Sequence, residues 1–277
     1  MQLAYSAAPA SSTESLRVCG AADWLPAVQE QVRGALGQGI AALEAMVEEL
    51  LAGTEQGWGN CALLSSIIAE LSQPDSLRLL LAQLLRDEVT LTAVQRRSYY
   101  HHNGFRKLVL LQNRAFKLRL HLWEANSERH HENIHDHRWN FASCLLAGRF
   151  QTVVWEEDAT GPETRLNCIY IPAQADGCYG VHEHGQVRLR QRATHVLQAG
   201  DQYYMPASTL HQVTDPGQGE TITLMLTAMP VLGHCKLYAE HSIPEQDKQN
   251  VPFSAAEIRR ELTGLLLTTC QPLALAA

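Results

Sequence analysis

Three histidines in two separate parts of the chain have the spacing of a metal site. His135 and His137 are one residue apart, and His211 follows Gly200-Asp201 and Pro206. Side chains of an extended segment alternate, so the first two imidazoles point to the same side. Three convergent neutral imidazoles bind a divalent transition metal and leave coordination positions open. We therefore predict a metal site made by His135, His137 and His211.

The composition limits the classes of protein that could carry this site. The chain has 277 residues and is 45% hydrophobic, which favours one large domain or a main domain with a helical appendage. Its net charge of −7 argues against a surface that binds nucleic acid or an anionic membrane. No apolar run reaches the about 18 residues of a membrane span. The first residues do not resemble a signal peptide, and the seven cysteines form no C-x-x-C pair. We expect a cytoplasmic protein with reduced thiols and a small-molecule partner, and a homo-oligomer is an open possibility.

Helical periodicity dominates the first part of the chain. Residues 1–22 are rich in Ala, Ser and Thr, which predicts a mobile lead-in. Residues 23–98 predict a helical subdomain of three or four helices without a motif of its own, whose expected role is packing or oligomerisation. Residues 241–277 predict a C-terminal extension with a helix over 253–268.

Short strands separated by turn residues characterise residues 99–240. Phe105–Leu111 and Ala115–Trp123 predict a hairpin. About ten strands at intervals of about 8–12 residues predict a mostly β protein, an antiparallel barrel or jelly roll. A second H-x-H, His182-Glu183-His184, stands between Gly180 and Gly185, and these glycines favour a loop there.

The two histidine motifs resemble those of the metal-dependent cupin superfamily over about residues 99–240. The resemblance is carried by His135-x-His137 with the later Gly148, and by Gly200-x5-Pro206-x4-His211. It implies a cupin-type β-barrel between the helical parts. Most metal-dependent cupins carry a glutamate shortly after the H-x-H pair, where this chain has Phe141 and Ala142. The expected ligands are therefore three histidines only, and a barrel that has lost its metal is the alternative.

Within the cupins, a three-histidine site is typical of thiol dioxygenases, and the local sequence is similar to cysteine dioxygenase. The similar segments are Tyr100–Asn103, Leu122-Trp123 and Ile134–His137. Three positions depart from that family. His102 replaces its carboxylate-binding arginine, Ala142 replaces its cross-linked cysteine, and Thr223–Thr227 replaces its Ser-x-His-x-Tyr strand. The resemblance implies similar metal ligands but different residues around the substrate.

Strand alternation and proximity to the motifs nominate residues around the substrate. The candidates are His102, Arg106, Arg119, His121, Trp139, Phe141, Tyr203, Tyr204 and Met225. An arginine at the barrel mouth could bind a carboxylate through two hydrogen bonds, but Arg106 and Arg119 could equally pair with acids on the rim. Trp139 and Phe141 are expected to form an apolar wall.

These features predict a mononuclear non-haem iron oxygenase. Fe(II) is the expected metal, and Zn, Ni, Mn or Cu are the alternatives. The substrate would be a small metal-chelating molecule, such as a thiol or an amino acid, oxidised with O2. The first alternative is a lyase or isomerase that uses its metal as a Lewis acid without redox chemistry. The second is a cupin that senses a ligand without catalysis.

Overall fold

Strand β4 (Lys117–Trp123) shows how the chain divides into layers. Leu118, Leu120 and Leu122 alternate with Arg119 and His121, and all five side chains are buried. A strand buried on both faces must lie between two packed layers. The three leucines join the core beneath the helices, while Arg119 and His121 lie on the opposite, interior face.

The computed structural model of the protein describes residues 16–53, 60–101, 104–124, 132–171, 180–215, 219–243 and 250–269. Six α-helices occur in this part of the chain: α1 (Pro26–Gln38), α2 (Ile40–Ala52), α3 (Cys61–Leu71), α4 (Pro74–Arg86), α5 (Glu88–Arg97) and α6 (Ala255–Thr269). The strands besides β4 are β1 (Arg17–Cys19), β2 (Tyr99–His101), β3 (Phe105–Gln112), β5 (Ile134–His135), β6 (Phe141–Ala147), β7 (Arg149–Glu157), β8 (Glu163–Ile171), β9 (Gly180–Gln198), β10 (Gln202–Met205), β11 (Leu210–Asp215), β12 (Thr221–Thr227), β13 (Cys235–Ala239) and β14 (Val251–Pro252).

The strands form two antiparallel sheets that face each other. The larger has the order β1-β10-β6-β12-β4-β3-β2-β14, and the second closes as the ring β11-β5-β13-β8-β9-β7. Phe141 and Tyr203 of the larger sheet share one apolar cluster with Phe150 and Val154 of the ring. The space between these facing surfaces is the interior referred to below.

The helices cover the outer face of the larger sheet. The N-terminal end of α3 is capped by the Asn60 side chain, which accepts hydrogen bonds from the backbone N–H groups of Ala62 and Leu63. Leu64 and Ile68 of this helix are fully buried in the core shared with β6 and β12. Burial of each such side chain contributes about 2 kcal/mol. The helices and the sheet thus share one hydrophobic core.

The predicted fold class is confirmed. The protein is mostly β, with an antiparallel jelly roll, five α-helices before β2 and one helix after the barrel. The β3–β4 hairpin also matches its prediction. The predicted boundaries between the helical and barrel regions remain predictions. None of the helices in the described ranges is long and apolar enough to cross a bilayer.

Two expectations from the sequence were wrong. The lead-in does not extend to residue 22, because Arg17–Cys19 pairs with β10, and Leu16 and Cys19 are buried; its earlier part, residues 1–15, lies outside the described residues. The second H-x-H is not in a loop, since β9 runs unbroken through it and leaves both histidines exposed. Gly185 adopts a φ of +89° where the pairing with β8 shifts register, so this glycine accommodates a bulge within the strand.

Candidate metal centre

The structure brings the three predicted histidines together. His135 pairs across the strands with His211, and His137 follows β5 with its backbone N–H bonded to the carbonyl oxygen of Ala207 at 2.9 Å. The ring centroids lie 4.5 to 5.0 Å apart, and one nitrogen of each ring lies within 4.8 Å of the other two. In the described part of the chain, this is the group of His, Cys, Asp and Glu side chains that could hold a metal ion.

Backbone carbonyls orient two of the rings. Nδ1 of His135 lies 2.8 Å from the carbonyl oxygen of Asn133, and Nδ1 of His211 lies 3.2 Å from that of Thr209. A ring nitrogen that faces a carbonyl must carry the proton, so Nε2 of each ring keeps its lone pair. Metal-binding histidines commonly donate the N–H of their second ring nitrogen to a carbonyl oxygen in this way.

The protonation states also suit a metal. Burial, reinforced by the neighbouring His135, lowers the pKa of His211 to about 3. Burial, reinforced by His135 and His211 and by the more distant Lys107 and Arg119, lowers the pKa of His137 well below its ordinary value. Both imidazoles are therefore neutral near pH 7, which is the form that binds a divalent metal. His135 and His137 are half-buried, so the group is open to a ligand on one side.

No acidic residue joins this group in the described ranges. Asp136 lies between the first two histidines, but its carboxylate accepts a hydrogen bond of 2.6 Å from the backbone N–H of Lys236. It therefore faces β13 instead of the rings. At the position where most metal-dependent cupins have a glutamate, the Phe141 ring packs edge-on against His137, with centroids 5.1 Å apart. The donor set is three imidazole nitrogens, which fits a divalent transition metal.

Several predicted substrate-facing residues do lie on the interior side. Trp139 stacks on His137 with centroids 5.9 Å apart, and the Arg119 guanidinium lies 4.8 Å from the Trp139 ring. Tyr203 packs against Phe141. Met225 pairs in register with Arg119 on one side and Ser143 on the other. His121 is buried against Phe105 further along the same face.

Arg106 and Tyr204 do not face the interior: Arg106 follows the alternative of pairing with acids, and the predicted position of Tyr204 is corrected. The guanidinium of Arg106 lies on the outer side of β3, where it forms an ion pair of 2.6 Å with Glu261 of α6. Tyr204 belongs to the core under the helices, because it alternates with Tyr203. Its neighbour Tyr203 takes the interior position. The predicted role of His102 falls outside the described residues.

Sequence reasoning missed Lys107 and Tyr99. Lys107 lies directly opposite His121 in the β3–β4 pairing, and its ammonium lies 5.4 Å from the Tyr99 ring centroid. Both therefore share the interior face with Arg119. The four apolar residues Leu108–Leu111 hid the alternation of β3, so the useful signal was the pairing with the alternating strand β4.

No protein-family model and no curated protein matches the chain. Similar solved structures include an RmlC-like cupin from Shewanella frigidimarina, with 16% identity, 47% of this chain and 79% of that chain covered, and a TM-score of 0.29. A protein with a double-stranded β-helix domain from Klebsiella pneumoniae has 12% identity, coverages of 51% and 92%, and a TM-score of 0.30. Oxalate decarboxylase from Bacillus subtilis has 14% identity and a TM-score of 0.31. The match covers 51% of this chain but only 30% of the oxalate decarboxylase chain.

The strand pairings themselves define the class of protein. Two facing antiparallel sheets, with histidines from adjacent strands of one sheet turned into the interior, form a cupin-type jelly roll with a candidate three-histidine metal site.

Proposed function

We propose that the protein is a mononuclear non-haem iron oxygenase. The observation that carries this proposal is the donor set, in which three imidazoles converge without a carboxylate among the described residues. Fe(II) bound by His135, His137 and His211 would keep its full positive charge and supply open positions for an anionic substrate donor and for O2. His135 and His211 lie on β5 and β11, which are adjacent strands of the ring, and His137 follows β5.

The residues around the histidines support oxidation in a water-poor space. Trp139 and Phe141 pack on His137, and Tyr203 extends the same wall. Such a wall limits the access of water to a reactive oxygen species and to the bound substrate. The Tyr203 hydroxyl stays protonated, because burial raises the pKa of this side chain. Tyr203 can therefore donate a hydrogen bond but cannot act as a base near neutral pH.

The substrate would be a small molecule with its own metal-binding donor, such as a thiol or an amino acid. If the substrate supplies all four electrons that reduce O2, no organic cosubstrate is necessary. The similarity to cysteine dioxygenase supports this chemistry, and the departures at Ala142 and Thr223–Thr227 favour another substrate. Ala142 is buried on the outer face, so a cysteine there would not face the histidines.

A second candidate is a metal-dependent lyase or isomerase. The same donor set suits Zn, and three histidines hold Zn in enzymes in which the metal acts as a Lewis acid. Oxygen consumption during turnover separates this candidate from the oxygenase.

Metal analysis with an oxygen-uptake screen tests the proposal. The full chain, loaded anaerobically with Fe(II), should bind about one iron per chain, and His137→Ala should lose it. His182→Ala is the matched control, because His182 belongs to the other H-x-H and is exposed. Oxygen uptake should follow the addition of one member of a panel of small thiols, amino acids and diketones.

Two results would contradict the oxygenase. Iron well below one per chain, or unchanged in His137→Ala, would remove the metal site. Turnover supported by Zn without oxygen uptake would favour the lyase or isomerase instead.

A further inference from the structure

Three basic residues lie on the interior face of the larger sheet, which faces the second sheet with its three histidines. Lys107 and His121 are paired neighbours on β3 and β4, and Arg119 stands two residues before His121 on the same face. Arg119 is 4% exposed and His121 is 7% exposed. We call Lys107, Arg119 and His121 the basic cluster.

Among the described residues, no carboxylate forms an ion pair with the basic cluster. Burial lowers the pKa of Arg119 to about 10, and the only opposing influence comes from the Tyr99 hydroxyl. Burial also lowers the pKa of Lys107; Tyr99 is its hydrogen-bond partner, and Glu132 opposes the shift only weakly. Arg106, one residue earlier on the outer face, contrasts with this because three carboxylates surround it. A buried cation without a counter-ion is costly, because its lost hydration is not replaced.

Unpaired polar atoms lie in the same region. In the described part of the structure, Nε of Arg119, Nε2 of His121, Nε1 of Trp139 and Oγ1 of Thr223 are buried and have no hydrogen-bond partner. Thr223 lies directly opposite His121 in the β4–β12 pairing. Buried polar groups are normally paired, so a set of them on one interior face indicates a ligand that completes them.

Trp139 connects the basic cluster to the metal centre. The Trp139 ring stacks on the His137 ring, and the Arg119 guanidinium lies 4.8 Å from the centroid of the Trp139 ring. Stacking on an aromatic ring holds a guanidinium while leaving the N–H groups at its edge free to bind. Arg119 and His137 therefore contact the same indole ring, which places the guanidinium next to the metal centre.

We propose that the basic cluster binds a carboxylate of the substrate, so that the substrate is a small organic acid held at one end by Arg119 and Lys107. A carboxylate presents two coplanar oxygens, which match the edge of a guanidinium. It would also neutralise charge that the protein leaves uncompensated. The binding of the other end to the metal rests on the proposed function, whereas the carboxylate site does not.

The site can be tested with malonate and the metal-free full chain. Calorimetric titration should show saturable malonate binding, and Arg119→Met and Lys107→Met should each weaken it at least tenfold. Arg106→Met is the matched control and should bind malonate like the original protein, because this arginine lies on the outer face. Thermal unfolding gives a second readout. Without malonate, Arg119→Met should melt at a higher temperature than the original chain, because it removes an uncompensated buried charge.

The outcomes separate this proposal from the oxygenase. Malonate binding without iron binding would leave the carboxylate site standing and remove the proposed function. Iron binding without malonate binding would do the reverse. The carboxylate site would also be refuted if phosphate bound as tightly as malonate, or if Arg119→Met bound malonate unchanged and melted at a lower temperature.

Discussion

Replacement of Arg106 by methionine should destabilise the fold without affecting the interior. Its guanidinium joins β3 to α6 through an ion pair of 2.6 Å with Glu261, and both side chains are largely buried, at 14% and 11% exposure. Two further carboxylates, those of Glu220 and Glu124, lie 3.3 and 3.7 Å away but are more than half exposed. The pair with Glu261 should therefore account for most of the effect.

The size of the effect follows from this burial. Exposed ion pairs contribute about 0–1 kcal/mol, and removal of one partner of a fully buried pair costs about 3–5 kcal/mol. Arg106 and Glu261 lie between these limits, so we expect Arg106→Met to lower the free energy of unfolding by about 2 kcal/mol. Methionine keeps the aliphatic contacts of the arginine stem, which confines the change to the charged end.

Urea unfolding followed by circular dichroism measures this loss. Glu261→Gln should have a similar effect, and the double variant should recover about 1–2 kcal/mol of the sum as coupling. Additive effects, or single losses below about 0.5 kcal/mol, would refute the assignment of Arg106 to a structural ion pair. A weaker affinity of Arg106→Met for malonate would indicate that this arginine faces the interior after all.

Further predictions concern a turn, the core and the interior charge. Gly148→Ala should destabilise by about 3 kcal/mol or more, because φ is +74° and the new Cβ would lie 2.8 Å from Cα of Thr221; Gly34→Ala, with no atom near its Cβ, should not destabilise. Leu64→Ala should cost about 3 kcal/mol in urea unfolding, because Leu64 is fully buried. Burial lowers the pKa of Lys117 to about 8, below its unfolded value of 10.5. Between these pH values the unfolded state binds more protons, so stability should rise by about 1–2 kcal/mol with increasing pH, after discounting for partial exposure, and Lys117→Met should lack this rise.

Local patterns predicted the parts of the fold that depend on local interactions. Leu118, Leu120 and Leu122 alternate with polar residues, so both the strand and its two faces could be recognised. The spacing of His135 and His137 implied that their rings converge, and the structure agrees. In each case a period of two residues carries the information, and that period is a property of the extended backbone.

Positions set by strand pairing could not be predicted in the same way. The run Leu108–Leu111 gives β3 no visible alternation, and the pairing with β4 shifts register between Val109 and Leu111. Arg106 and Lys107 differ by one residue, so an error of one in the register exchanges their faces. The sequence therefore nominated the arginine of an outer ion pair and missed the lysine of the interior.

The two halves of the proposed site lie on different sheets, which explains why no single motif contains them. His135 and His211 belong to the closed ring, whereas Lys107 and Arg119 belong to the larger sheet. Their proximity depends on how the two sheets pack, and Trp139 contacts members of both halves. A histidine motif can specify a metal site within one sheet. The charge that selects the substrate becomes visible only when the facing sheet is in place, because only then is the absence of a buried counter-ion among the described residues apparent.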